Sequence, residues 1–210
     1  MKKQKIRGQN RISKQIEEWR MDNLTLHLDN VLKRGRGRQD IVVHPWCDIS
    51  IIKSTFPEPN GRTKRLILTG LLDIYDNWKK QLDEYGSPYY LKIWLYDPRF
   101  SQSEIVCALG ENLDYYNNTF APAPARAFPL HHYNTLQERL KSMKWSCFLD
   151  EDHYSEQEIG TKEEYASNED YEEMISDFNR RIRKPHKVSK LEDGTKLHSF
   201  KRGFVWVGGY

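Results

Sequence analysis

Between Ile67 and Leu109 the spacing of apolar residues switches from a helical period to a period of two, and that switch restricts the folds open to the chain. Ile67, Leu68, Leu71, Ile74, Tyr75, Trp78 and Leu82 share one face of a helix. Gly86-Ser87-Pro88 breaks it. Tyr89, Leu91, Ile93 and Leu95 then alternate with Tyr90, Lys92, Trp94 and Tyr96, the pattern of a strand largely covered on both faces. Asp97-Pro98-Arg99 turns the chain. Residues 103–109 return as a second strand, with Ile105, Cys107 and Leu109 alternating against Glu104, Val106 and Ala108. An antiparallel pair packed on the preceding helix is expected, since each element carries an apolar face that the other can hide. The expected fold is α+β: one domain over residues 1–210, with an antiparallel sheet packed against two to four helices.

Weaker signals place the other elements. Ile12, Ile16 and Trp19 predict an N-terminal helix behind a basic arm, residues 1–11, running on toward Leu32 until Gly35 and Gly37 end it. Short strands are expected at 41–43 and 49–52. A proline-rich connector over 121–129 is extended and offers the one internal boundary. Leu136, Leu140 and Met143 suggest a short helix, and residues 145–149 a strand. An acidic excursion over 150–170 follows, and Tyr171, Ile175, Phe178 and Ile182 carry helical spacing up to Pro185. Residues 188–191 and 195–200 flank Asp193-Gly194, a two-residue hairpin signal, and 204–207 add a strand.

Twelve Tyr, eight Phe and six Trp supply enough aromatic mass for a core. Apolar runs are too short to span a bilayer, and residues 1–15 lack the apolar stretch of a secretory signal. Cys47, Cys107 and Cys147 are odd in number and widely spaced, unlike a secreted disulfide framework. A soluble, cytoplasmic protein with reduced, structural thiols is expected, with Cys107 and Cys147 largely buried. The Asn-x-Thr triplets at Asn23 and Asn117 then have no role as glycan sites.

Motifs that carry chemistry are missing from the sequence. Gly35-x-Gly37 is followed by Asp40 where a dinucleotide fingerprint needs its third glycine, and no Gly-x4-Gly-Lys-Ser/Thr occurs. His44 and Cys47 form the one close His/Cys pair, and His131-His132 stands apart from other ligand types, so neither a metal nor a cofactor is expected. His44, His131, His132 and His198 are candidate bases with no identifiable nucleophile beside them. The pairs Asp73/Asp76 and Asp150/Asp152 are read as solvated surface.

Charge is more informative. Residues 1–38 carry a net +7, residues 150–173 a net −10 and residues 174–210 a net +6. The acidic stretch, self-repelling and exposed, is the leading candidate surface for a basic protein partner, through Asp150, Glu151, Asp152, Glu163, Glu164, Tyr165, Glu172 and Glu173. The basic stretch is the alternative, a nucleic-acid or phosphate surface formed by Lys5, Arg7, Arg11, Arg34, Arg36 and Arg38, where alternating glycines free the backbone to approach phosphate. Arg180, Arg181, Arg183 and Lys184 form a further basic cluster. Arg62, Lys64 and Arg65 open the central helix against its macrodipole, as if wanted for something else.

The opening Lys5-Ile6-Arg7-Gly8-Gln9-Asn10-Arg11 and the later Pro59-Asn60-Gly61-Arg62-Thr63-Lys64-Arg65-Leu66 resemble an uncharacterised family of small bacterial proteins with a KIRG-x-NR opening, over roughly residues 5–110. The resemblance implies no activity and no site residue. Three function classes follow. The first is a binding protein that acts by protein–protein contact, of the toxin-neutralising (immunity) or phage-encoded defence-inhibitor kind. The alternative is a nucleic-acid-binding protein, with weak attachment and no membrane association. The third is an enzyme with a dispersed site.

Overall fold

The computed structural model describes residues 2–29, 37–45, 58–59 and 61–210. The architecture is α+β, as expected. Among the described residues there are four main helices, α1 (Lys2–Asn23), α2 (Gly61–Tyr85), α3 (Gln137–Ser142) and α4 (Asn168–Arg181). Seven strands form an antiparallel sheet: β1 (Gln39–Val43), β2 (Tyr89–Asp97), β3 (Glu104–Leu109), β4 (Ala121–Pro122), β5 (Lys144–Ser155), β6 (Lys187–Lys190) and β7 (Lys196–Gly209). Their order is β1-β3-β2-β7-β5-β4, with β6 paired to β7. The chain divides into two compact units, Met1–Phe148 with Phe204–Tyr210, and Leu149–Gly203. The boundaries fall inside β5 and β7, and the proline-rich connector expected as a boundary lies wholly within the first unit.

In the first unit the alternation of β2 works as expected. Tyr90 pairs with Ala108, Leu91 with Cys107 and Ile93 with Ile105 across the antiparallel ladder. On one face Leu91, Ile93, Leu95, Ile105, Cys107, Leu109 and Trp206 join Ile67, Leu71, Ile74 and Trp78 of α2 in a single cluster. Each fully buried Leu or Ile there contributes roughly 1.5–3 kcal/mol relative to exposure. Trp19 of α1 completes the layer by lying flat on α2 at Gly70, where an added Cβ would come within 2.7 Å of its ring. The end of α1 is tied down by polar contacts. Trp78 Nε1 donates to the Asn23 carbonyl at 2.8 Å, and Gln81 both accepts from Leu26 N and donates to the Leu24 carbonyl.

Several expectations change. The helix begins at Lys2, so residues 2–11 of the basic segment form its first turns rather than an arm ahead of it, and it ends at Asn23, short of the expected reach toward Leu32. Asp73 and Asp76 are ion-paired rather than merely solvated: Arg139 of α3 reaches Asp73 at 2.8 Å and Asp76 at 2.6 Å, and Arg20 of α1 reaches Asp73 at 3.1 Å. Three helices are thereby pinned at one point. The strands expected at 195–200 and 204–207 are one strand, β7, and the Asp193-Gly194 hairpin joins it to β6 as expected. The strand expected at 49–52 and the residue Cys47 lie outside the described residues.

The second unit is built differently. β5 runs six residues past the expected end at Leu149, because the acids that read as loop each find a partner. Asp150 is 5% exposed, Glu151 meets His186 at 2.7 Å and Asp152 accepts from Arg202 Nε. His153 Nδ1 lies 3.0 Å from Ser199 Oγ, and Tyr154 packs edge-on against Phe200. Downstream, α4 starts on Ser167, whose hydroxyl accepts from Asp170 N at 3.1 Å, with Glu169 and Asp170 in the first turn and Arg180 and Arg181 in the last. That polarity suits the helix dipole.

Candidate functional site

The acidic residues chosen from sequence do not form one exposed surface. Asp150, Glu151 and Asp152 are strand residues held by internal partners, contrary to the extended, exposed stretch expected from self-repulsion. The Asp152 carboxylate, beside the Arg202 guanidinium, has less net charge to offer a partner. Glu164 accepts from Thr161 N in a capping box, and Glu158 does the same for Ser155 N. Tyr165 is half-buried, its hydroxyl donating to the Ile159 carbonyl and its ring 5.3 Å from Tyr171. Glu163, Glu172 and Glu173 remain exposed, and Glu172 accepts from Asn168 Nδ2 at 3.1 Å. Glu173 borders a shallow cleft on α4 floored by Met174.

Of the six basic residues chosen from sequence, four are among the described residues. Lys5, Arg7 and Arg11 lie along α1, and Arg34 and Arg36 fall outside the described residues. Arg38 pairs with Asp40 at 3.0 Å and sits 5.4 Å from the ring centre of Tyr116. Lys64 and Arg65 in the first turns of α2 line a cleft of about 340 Å³ with His132, Tyr133 and Thr135. Lys64 there already has partners, since its ammonium lies 4.6 Å from the Phe100 ring and 5.6 Å from the Tyr133 ring. Burial pulls its pKa down, while Asp97 and Glu58 pull the other way.

The structure assembles a different site, on the face of the sheet opposite α2. Period-two alternation sends Tyr90, Lys92, Trp94 and Tyr96 of β2 to this side, with Glu104, Val106 and Ala108 of β3 and Val205 and Val207 of β7. A short helical turn, Leu113–Asn118, carries Tyr116 over the face, and Phe120 follows it. Tyr116 stacks on Tyr90 at 4.8 Å, and Phe120 meets Trp94 edge-on at 4.7 Å. Trp94 Nε1 donates to Tyr90 Oη at 3.3 Å. Between these rings and β5 lies a pocket of about 230 Å³, lined by Tyr90, Lys92, Tyr116, Phe120, Lys144, Ser146, Phe148 and Val207.

The electrostatics of this face are unusual. Lys92 is half-buried, and burial together with the nearby charge of Lys144 lowers its pKa. Neither ammonium has an acidic partner among the described residues. Glu104, directly across the ladder from Trp94, is pushed up to about 7 by burial, so it is only partly ionised at neutral pH. Two ammonium groups beside the half-buried rings of Tyr116, Phe120 and Phe148 can hold a flat, negatively charged ligand. Alternation alone places Lys92 among the residues that cover a strand and does not show this pocket. The signal was there: a lysine flanked by Tyr90, Trp94 and Tyr96 on a strand face that ought to be apolar.

His132 is exposed at the α2 cleft, and His198 is buried in the second unit near Phe178, with neither ring nitrogen hydrogen-bonded among the described residues. Cys107 is fully buried, its thiol pushed up to about 12 by burial and then by Asp40. That is unsuited to a nucleophile. Cys147 is half-buried against the α2-side core, more open than expected. Among the described residues no helix is long and apolar enough to cross a membrane, and no group of three or more His, Cys, Asp or Glu could hold a metal ion. No family model, curated protein or solved structure matches the chain.

Proposed function

We propose that this chain binds single-stranded nucleic acid on the aromatic face of its sheet, opposite α2. The observation that supports this best is Lys92: an ammonium half-buried among aromatic rings, beside a second ammonium, with no acid against it among the described residues. Leaving a cation unpaired in a partly desolvated place is unfavourable, and a ligand that brings negative charge relieves it. The rings state what else the ligand carries. Base–aromatic stacking tolerates any sequence, and lysines track the phosphates. The nucleic-acid reading thus moves from the basic helix to the sheet face, and of the six basic residues chosen from sequence Arg38 lies next to it. Fluorescence anisotropy with a short labelled oligonucleotide, single- or double-stranded, tests the proposal. Single strands should bind, more weakly as salt rises, and each ammonium removed should lower the salt slope by about one. Equal binding by wild type and a Lys92→Met, Lys144→Met variant would sink it.

A second reading is contact with a basic protein, as in neutralising a toxin or a defence enzyme. It is favoured by Glu163, Glu172 and Glu173, which remain exposed, Glu173 on the rim of the Met174 cleft. Replacing these three with Gln, and leaving the capping Glu164 in place, should slow association with such a partner without lowering the melting temperature. Capture from a lysate with and without nuclease separates the two readings.

A further inference from the structure

We propose that the pocket between Lys92 and Lys144 takes the terminal phosphate of a nucleotide, with the adjoining base against the Tyr90–Tyr116 pair; this rests on the nucleic-acid reading for its ligand class. Three features lead there. First, the two lysines come from β2 and β5, with β7 between them in the sheet. Lys92 crosses that gap over Gly209: an added Cβ would lie 2.8 Å from both its Cδ and its Nζ. A residue without a Cβ there lets the ammonium lie across β7 on the pocket floor. Second, at about 230 Å³ the pocket is smaller than the ~300 Å³ lower end of drug-sized sites, so it suits one group rather than a run of strand. Third, the charge matches. A phosphomonoester carries about −1.5 to −2 near neutrality, against about −1 for an internal phosphodiester, and it presents three free oxygens. Two ammonium groups and the Ser146 hydroxyl can donate to those oxygens. An internal phosphodiester would have to enter and leave the pocket as chain on both sides.

The test compares oligonucleotides of one sequence carrying a 5′-phosphate, a 3′-phosphate or no terminal phosphate, and adds a nucleoside monophosphate and inorganic phosphate as separate probes. One phosphorylated end should bind roughly tenfold tighter than the unphosphorylated strand. Lys92→Met should abolish that preference. Gly209→Ala should weaken it with every charge kept, because the new methyl displaces the Lys92 ammonium; it also guards against an outcome in which the lysine variant alone is misfolded. Equal affinity for all three ends overturns the terminal-phosphate site and leaves strand binding standing. Lys92-dependent binding of the monophosphate without oligonucleotide binding upholds the site and overturns the strand reading. Inorganic phosphate competing as well as the nucleotide removes the base from the proposal. Failure of every probe overturns both.

Discussion

The two faces of the sheet in the first unit are made by the same strands and differ by one residue of register. One face, built from Leu91, Ile93, Leu95, Ile105, Cys107 and Leu109, lies under α2 and α1 and is dry and largely aliphatic. The other, built from Tyr90, Lys92, Trp94, Tyr96 and Glu104, is covered among the described residues by Tyr116, Phe120 and Phe148, and it carries ionisable groups inside the cover. Either polar residue could be an aliphatic one without disturbing the pleat. The first face shows what these strands do when stability alone is served. The second departs from that pattern at Lys92 and Glu104, and such departures concentrate at functional sites.

The largest contrast should come from removing core. Leu71→Ala, at a fully buried position under the sheet, should cost about 2–5 kcal/mol in denaturant unfolding. A cost below 1 kcal/mol would mean the α2 face is not the principal core. On the opposite face, Glu104→Gln should act in the other direction and depend on pH. The carboxyl sits at about 7 in the fold against an ordinary 4.5. Between those values the folded chain holds a proton that the unfolded chain has released, so stability falls as pH rises through that window and levels off above it. The glutamine variant should lack that fall and be more stable at pH 8, by on the order of 2 kcal/mol. Identical pH profiles of thermal unfolding for variant and parent would remove Glu104 from the account.

Lys92→Met should be smaller again, stabilising by about 0.5–1 kcal/mol because an unpaired, half-buried ammonium is replaced by an apolar chain of similar length. Clear destabilisation in a melt would show that Lys92 has a structural partner. Lys144→Met, at an exposed strand end, should change stability by less than about 0.5 kcal/mol while still weakening ligand binding.

What was legible in the sequence follows the same division. The covered face was readable because Ile67 to Leu109 obey one period at a time, and β2, β3 and α2 appear nearly where periodicity put them. β5 was cut short because Asp150, Glu151 and Asp152 look like loop residues until His186 and Arg202 are seen beside Glu151 and Asp152. Those partners lie far along the chain, and pairing of that kind leaves no local pattern. The acidic stretch misled for a related reason. Net charge counts Glu158 and Glu164 equally with Glu173, although the first two accept from the backbone N–H groups of helix caps. The pocket itself depends on Tyr116 and Phe120 being carried back over β2, a tertiary event that alternation in 89–96 does not encode.

The two-face account meets its most direct test in an NMR titration of the isotope-labelled protein with an unlabelled single-stranded oligonucleotide. Shift changes should gather at Tyr90, Lys92, Tyr116, Phe120, Lys144 and Ser146, and leave Ile67, Leu71 and Ile74 on the covered face unmoved. Changes centred instead on Arg62, Lys64 and Arg65 at the start of α2, or on Glu172 and Glu173 of α4, or no changes at all, would contradict the claim that the aromatic face is the binding surface.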